Sequence, residues 1–453
     1  MKILCVSLGC DKNLVDSEMM LGLLTKDGYQ LTDDDQEADV VIVNTCAFID
    51  AAKEESINTI LEMAHLKEDA KCQALVVTGC MAERYKKEVL KEIPEVDAVL
   101  GTTTYGEISK VLKRLQDGEK HIEVYEDLSR MPEDDHRVFT TGSAYSYLKI
   151  AEGCNKRCTY CIIPYLRGPY RSEPMVKLIS QAKKIAENGV KELILVAQET
   201  TLYGTDLSQK KMLPTLLREL GRIDGLEWIR LQYCYPEEIT DEIIEAIAKE
   251  PKVCHYIDLP IQHASDRILK RMGRRTTHDE IISRIRRIRE LIPDVALRTT
   301  LISGFPGETE EDHQILMDFV REVEFDRLGV FTYSQEEDTP AAQMEDQIPE
   351  EVKERRRDEI MALQQEIAFR KEKEKIGSEM RVMVEGRMPE EEYGFGVYTC
   401  RTYMDAPNID SQIFVHSERD LMSGDFIRCT VTDSDGYDLI GEEIADWDDE
   451  EED

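Results

Sequence analysis

Three of the twelve cysteines in this 453-residue chain fall in one short stretch, Gly153-Cys154-Asn155-Lys156-Arg157-Cys158-Thr159-Tyr160-Cys161. Their spacing is C-x3-C-x2-C, directly after the strand-like run Ser146-Tyr147-Leu148-Lys149-Ile150. Cysteine thiolates are the ligands of iron–sulfur clusters, and a cubane has four iron corners. Three protein ligands leave one iron open to bind and activate something that is not protein. Zinc is the competing chemistry, but a structural zinc takes four closed ligands and no fourth Cys or His lies nearby. Three buried packing thiols are the plain alternative, and Lys156 and Arg157 in the same stretch speak against it.

The first 110 or so residues contain the elements that would position a second group of cysteines. Short runs rich in Val, Ile and Leu (1–7, 39–44, 73–78 and 96–100) alternate with stretches of helical composition (16–26, 51–65 and 82–92). Strands buried in a parallel sheet read this way. The expectation is an open parallel α/β sheet, in which ligands gather at the carboxyl ends of strands. Cys10 follows the first run, Cys46 the second and Cys80 the third, so the three should converge although they are far apart in sequence. Small buried cysteines are also common near strand ends, which is the alternative for any one of them taken alone. Cys5 and Cys72 are better read as packing residues.

Residues 119–140 read as an acidic, weakly patterned connector, after which strands are expected at 145–150, 192–197, 228–232, 256–261, 296–301 and 328–332. Helices between them include 177–188, 239–248 and 277–291. Six such units fit a parallel (βα) barrel, or most of one, with its chemistry at the carboxyl ends of the strands. The triple-cysteine loop follows the first of these strands. Residues 350–375 have the composition of a long linking helix. Beyond Gly377, the runs 380–385, 396–401, 412–415 and 425–431 alternate apolar and polar residues between turn signals, as in a small antiparallel β-barrel. The last residues, 446–453, form an acidic tail expected to be disordered.

Formal net charge is −36. Nucleic-acid phosphates are bound by Lys and Arg, so such a field repels them and favours a basic partner. No apolar stretch approaches the 18 or so residues of a membrane span, and the apolar run after Met1-Lys2 breaks at Asp11 and Lys12 rather than continuing as a secretory signal. A cytoplasmic setting is expected, with the cysteines kept for metal ligation rather than disulfides.

The cysteine loop, with the aromatic Tyr160 before its last ligand, resembles the radical S-adenosylmethionine enzymes. That resemblance implies a [4Fe–4S] cluster on Cys154, Cys158 and Cys161 whose open iron chelates S-adenosylmethionine. Two three-cysteine sites followed by a small β-barrel resemble, more narrowly, the methylthiotransferases of that superfamily. The resemblance covers nearly the whole chain: an N-terminal methylthiotransferase domain (1–118), a radical core (140–371), a TRAM domain (374–442) and the acidic tail (443–453). Ser7-Leu8-Gly9-Cys10-Asp11-Lys12-Asn13-Leu14-Val15-Asp16-Ser17-Glu18 and Pro260-Ile261-Gln262-His263-Ala264-Ser265-Asp266-Arg267 lean to the branch that modifies ribosomal protein S-twelve. Asp11 stands where that branch often has Pro, a departure at a position that is no ligand. Gly304-Phe305-Pro306-Gly307-Glu308-Thr309 also looks like the family.

What the resemblance implies is a second [4Fe–4S] cluster on Cys10, Cys46 and Cys80. One S-adenosylmethionine methylates sulfur there. A second is cleaved reductively at the other cluster, and its radical takes hydrogen from the aspartate β-carbon, which then receives the methylthio group. An external electron donor and a sulfur donor are implied. Gln198 and Glu199, at the end of the second barrel strand, are candidates to contact S-adenosylmethionine, or serve as loop hydrogen-bonding residues. Tyr160 could meet its adenine or simply pack. Arg298 could meet its carboxylate or pair with an acid of the barrel. Gly304 and Gly307 permit a tight turn first, with cofactor contact secondary. Arg284–Arg289 reads as a solvated helix face.

TRAM domains resemble RNA-binding barrels, which would favour tRNA, the substrate of the sister branch. Residues 376–453, however, carry 5 Lys and Arg against 22 Asp and Glu, a poor match for a polyanion and a good one for a basic ribosomal protein, free or in the ribosome. A tRNA methylthiotransferase and a non-catalytic iron–sulfur carrier remain the alternatives. A carrier would normally close each cluster with four ligands.

Overall fold

The computed structural model describes residues 1–131, 136–142 and 144–444, and the chain divides into two compact units. The first comprises Met1–Thr140, Ala151–Glu173 and Ser334–Gln343. Its sheet holds β1 (Lys2–Ser7), β2 (Gln30–Leu31), β3 (Val40–Thr45), β4 (Ala74–Gly79), β5 (Ala98–Leu100) and β6 (Ile122–Val124). All pairings are parallel, in the order β2-β1-β3-β4-β5-β6. β3 and β4 are buried at every residue, which is why both read as unbroken apolar runs. Helices α1 (Asp11–Lys26), α2 (Asp50–Asp69) and α3 (Cys80–Tyr85) follow β1, β3 and β4.

Several bounds differ from expectation. α1 starts at Asp11 rather than residue 16, because the polar Lys12, Asn13 and Asp16 of its first turns are buried rather than solvated. The helix expected over 82–92 is two short ones, broken at Lys86 with φ +46°. The acidic connector contains β6, a short edge strand whose Glu123 hid it from an apolar pattern. Residues 132–135 of that connector lie outside the described residues, as does the tail from residue 445.

The second unit comprises Thr141–Ile150, Pro174–Tyr333 and Met344–Asp453. Its main sheet is parallel and six-stranded, ordered β14-β13-β12-β11-β10-β7, from β7 (Tyr145–Lys149), β10 (Glu192–Val196), β11 (Trp228–Leu231), β12 (Val253–Asp258), β13 (Ala296–Ser303) and β14 (Arg327–Thr332). β8 (Ala151–Glu152) and β9 (Arg171–Ser172) form a separate hairpin in the first unit. β12 ends three residues earlier than expected because Pro260 cannot donate to a ladder. A helix at Glu310–Val323, absent from the expectation, starts at a capping box in which Thr309 and Asp312 bond each other's backbone N–H.

The Glu350–Glu374 helix leads into a closed barrel of β15 (Glu379–Arg387), β16 (Val397–Thr402), β17 (Ile413–His416), β18 (Phe426–Asp435) and β19 (Asp438–Glu443). This barrel is antiparallel except for β17–β19, which pair in parallel. It packs against the amino ends of the main-sheet strands: Glu192, Trp228, Ala296 and Arg327 are each the first residue of their strand. Trp228, Cys254, Tyr256 and Ala296 share an apolar cluster with Met383, Met404 and Ala406. Arg401 ion-pairs with Glu192 at 2.5 Å, and Arg327 meets Asp405 and Glu372. Among the described residues, no helix is long and apolar enough to cross a membrane.

Candidate active site

Neighbouring strands in a sheet are about 4.8 Å apart, and β1, β3 and β4 are neighbours. Thr45 and Gly79 are partners in register, so the residues that follow them, Cys46 and Cys80, leave the sheet side by side. Ser7 pairs with Asn44 one strand over, and Cys10 comes three residues later as the N-cap of α1. The three thiols lie close enough for their charges to interact. Cys46 is fastened by Ser56, whose Oγ accepts from the Cys46 N–H at 3.1 Å and donates to its carbonyl at 2.9 Å. Cys46 and Cys80 are buried and Cys10 is open to solvent.

The second triad lies in the same unit, between β8 and a short helix, Ile163–Arg167. Cys154 N–H donates to the Gly168 carbonyl at 3.1 Å, and Cys161 N–H to that of Cys158 at 3.0 Å. The Ala341 N–H holds the Thr159 carbonyl at 2.9 Å. Cys154 and Cys158 are buried; Cys161 and Tyr160 are half-buried.

The donor chemistry fits iron–sulfur ligation. All twelve cysteines are free of disulfides, and each triad offers three sulfurs. Burial pushes the Cys80 thiol up to about 12 against the lowering charge of Arg167, and also raises Cys46 and Cys161. The ligand form is the thiolate, so binding a cluster must displace these protons.

Sequence reading passed over the polar residues that surround these sulfurs. Arg167 is fully buried and places Nη1 2.6 Å from Asp16 and 3.3 Å from Glu152, while Nη2 donates to Asn13 Oδ1. Asp16 lies six residues after Cys10 on α1, and Glu152 two residues before Cys154. The only signal in the chain was an arginine closing the apolar run Ile162-Ile163-Pro164-Tyr165-Leu166.

In the other unit, Gln198 and Glu199 lie just past the carboxyl end of β10. Glu199 is fully buried, with Thr201 Oγ donating to it. Arg298 is the third residue of β13 rather than one past its end, and its guanidinium is held by Asp258 at 2.9 Å and Asp410 at 3.3 Å. This is the acid-pairing alternative rather than a residue presented at a strand terminus. Gly304, at φ +70°, donates its N–H to Glu308 at 2.8 Å, and a Cβ there would lie 2.2 Å from Lys353 Cγ. Of the Arg284–Arg289 face, Arg284, Arg286 and Arg287 are ion-paired with Asp241, Glu322 and Glu290.

Comparison with known proteins agrees with this layout. Residues 2–101 match the family described as "Uncharacterized protein family UPF0004", residues 148–320 the radical SAM superfamily and residues 376–444 the TRAM domain. Among solved structures, the radical S-adenosylmethionine methyltransferase TsrM from Kitasatospora setae, with cobalamin and a [4Fe–4S] cluster bound, aligns at TM-score 0.57. Its identity is 13%, over 75% of this chain and 73% of that one, a likeness of fold. The ribosomal protein uS12 methylthiotransferase RimO of Lachnoclostridium phytofermentans is 60% identical over 97% of this chain and 99% of its own length. That of Acetivibrio thermocellus is 52% identical over 98% of each. The chain belongs to the RimO family of radical S-adenosylmethionine methylthiotransferases.

Proposed function

We propose that this enzyme adds a methylthio group to the β-carbon of an aspartate in ribosomal protein S-twelve, in the cytoplasm, using two [4Fe–4S] clusters and S-adenosylmethionine. The observation that carries the reading is the pair of three-cysteine sites in one unit, one built from three adjacent strand ends and the other from a C-x3-C-x2-C loop. Cys154, Cys158 and Cys161 would hold the cluster that binds S-adenosylmethionine, and Cys10, Cys46 and Cys80 the second. Bound there, the clusters supply reductive cleavage of S-adenosylmethionine and an open iron for sulfur.

The chain's own part is positional. The sheet register brings Cys46 and Cys80 together, and Ser56 fixes the Cys46 backbone. Tyr160, Gln198, Glu199 and Gly304 remain the candidates to shape the cofactor site. Arg298, engaged by two carboxylates, serves as a strut. The family's domain plan suggests domains at 1–118, 140–371 and 374–442. An aspartate β-hydrogen is too weakly acidic for a positioned base to remove, so a carbon radical is the chemistry that suits this substrate.

The test compares two triple variants after anaerobic reconstitution. Replacing Cys154, Cys158 and Cys161 with Ala should remove one cluster and abolish 5′-deoxyadenosine formation. Replacing Cys10, Cys46 and Cys80 should leave reductive cleavage and eliminate methylthiolated product. Normal product from the second variant would overturn the reading.

A further inference from the structure

We propose that Asn13, clamped by Arg167, is the positioning residue that holds the Cys10, Cys46 and Cys80 loops together as one ligand set. This inference rests on the assignment of those cysteines as cluster ligands and adds a residue that the assignment does not contain.

Asn13 is fully buried, three residues beyond Cys10 in the first turn of α1. Its Nδ2 donates to the Leu8 carbonyl at 2.9 Å and to the Thr45 carbonyl at 2.9 Å. Leu8 lies two residues before Cys10, and Thr45 immediately precedes Cys46. Its Oδ1 is 4.0 Å from Cys80 Sγ. One side chain therefore touches all three cysteine-bearing loops. An amide is the group for this task, because two carbonyls must be met by two N–H donors while an oxygen remains for a cation.

The backbone of Asn13 is held as well. Asn44 Nδ2 donates to its carbonyl at 2.8 Å and to Ser17 Oγ at 2.9 Å, and Ser17 Oγ donates to Ser7 Oγ at 2.8 Å. Arg167 then fixes the remaining valence. Its fork spans Asn13 and Asp16 on α1, and Glu152 before the second triad. A planar guanidinium can satisfy those acceptors together, whereas a lysine ammonium cannot match the geometry. Removing one partner from such a buried network strands the others, so the arrangement has little freedom to drift.

Iron per chain after reconstitution of the full-length protein tests the proposal. Asn13→Asp conserves shape but removes both donors, and places a carboxylate against two carbonyls. It is made in two backgrounds. With Cys154, Cys158 and Cys161 replaced by Ala, only the Asn13 site can hold a cluster. With Cys10, Cys46 and Cys80 replaced, only the other can. The expected result is at least a twofold loss of iron, and of the matching electron paramagnetic resonance signal, in the first background with no loss in the second. Full iron in the first background for both Asn13→Asp and Asn13→Ala would overturn the proposal. Equal loss in both backgrounds would overturn it too, since it would mark Asn13 as a general folding residue. The parent backgrounds separate this from the ligand assignment. If replacing Cys10, Cys46 and Cys80 in an otherwise unaltered chain costs no iron, it is that assignment that fails.

Discussion

A methyl group added at Gly9 would lie 2.7 Å from Cys46 Cβ and 3.0 Å from its sulfur, at a backbone φ of +86° that side chains rarely adopt. Both effects fall on the meeting point of two cysteine-bearing loops. Gly9→Ala is therefore expected to cost about 1–3 kcal/mol of local strain and to halve the iron bound on reconstitution, while 5′-deoxyadenosine formation persists. Gly153, before Cys154, has the mirror role. At φ +80°, its absent Cβ would meet the Pro169 carbonyl oxygen at 2.2 Å. Gly153→Ala should abolish S-adenosylmethionine cleavage and spare the other cluster. Iron analysis of the two variants in parallel checks both outcomes. The six cysteines were legible in the sequence because spacing and position after strands carry chemistry. Asn13 and Arg167 were not, because their role depends on contacts between residues more than a hundred apart in the chain.

Two sequence motifs, 260–267 and 304–309, meet at the start of the Glu310–Val323 helix. Ser265 Oγ donates to Asp312 at 2.6 Å, and Arg267 and Thr309 bond the same carboxylate. Burial alone would raise the Asp312 pKa, but these donors outweigh it and hold it well below the usual carboxylate range. The folded-state pKa is thus depressed relative to the unfolded chain, near 3.9 for Asp. The stability this confers is present in full above that value and is lost as pH falls through the folded-state pKa. Asp312→Asn should cost about 2 kcal/mol at pH 7, and the gap from the unaltered protein should shrink below pH 4. Urea unfolding at a series of pH values measures it, and a gap independent of pH would refute the linkage. Among the elements, buried strands with unbroken apolar runs were readable. The break at Lys86, the edge strand β6 and the parallel β17–β19 pair were not, because each is fixed by neighbours in space rather than by local pattern.

The C-terminal barrel packs at the amino ends of the main-sheet strands, whereas Gln198 and Glu199 follow a carboxyl end. A strand of five or six residues is roughly 17–20 Å long, so a partner docked on the barrel must reach along the sheet to bring a residue to that end. A basic ribosomal protein would suit that demand, and residues 376–453, with 22 acids against 5 bases, would steer it. Deleting the segment is an unsuitable test: Glu192 would lose Arg401, Arg327 would lose Asp405, and Trp228 and Tyr256 would be uncovered. Neutralising exposed acids leaves those contacts intact. Replacing Glu391, Glu392 and Glu418 with Gln, and Asp433 and Asp435 with Asn, alters five exposed positions on the barrel. The variant should keep both clusters but bind the ribosomal protein several-fold more weakly at low salt. Its affinity should also depend less on salt, since exposed charges are screened within about 10 Å at 0.1 M. Under a tRNA-binding role the same changes would leave RNA affinity unchanged or improve it. Salt titrations of both proteins against ribosomal protein S-twelve and against tRNA decide between the two: unchanged affinity for the ribosomal protein would refute electrostatic docking on this barrel.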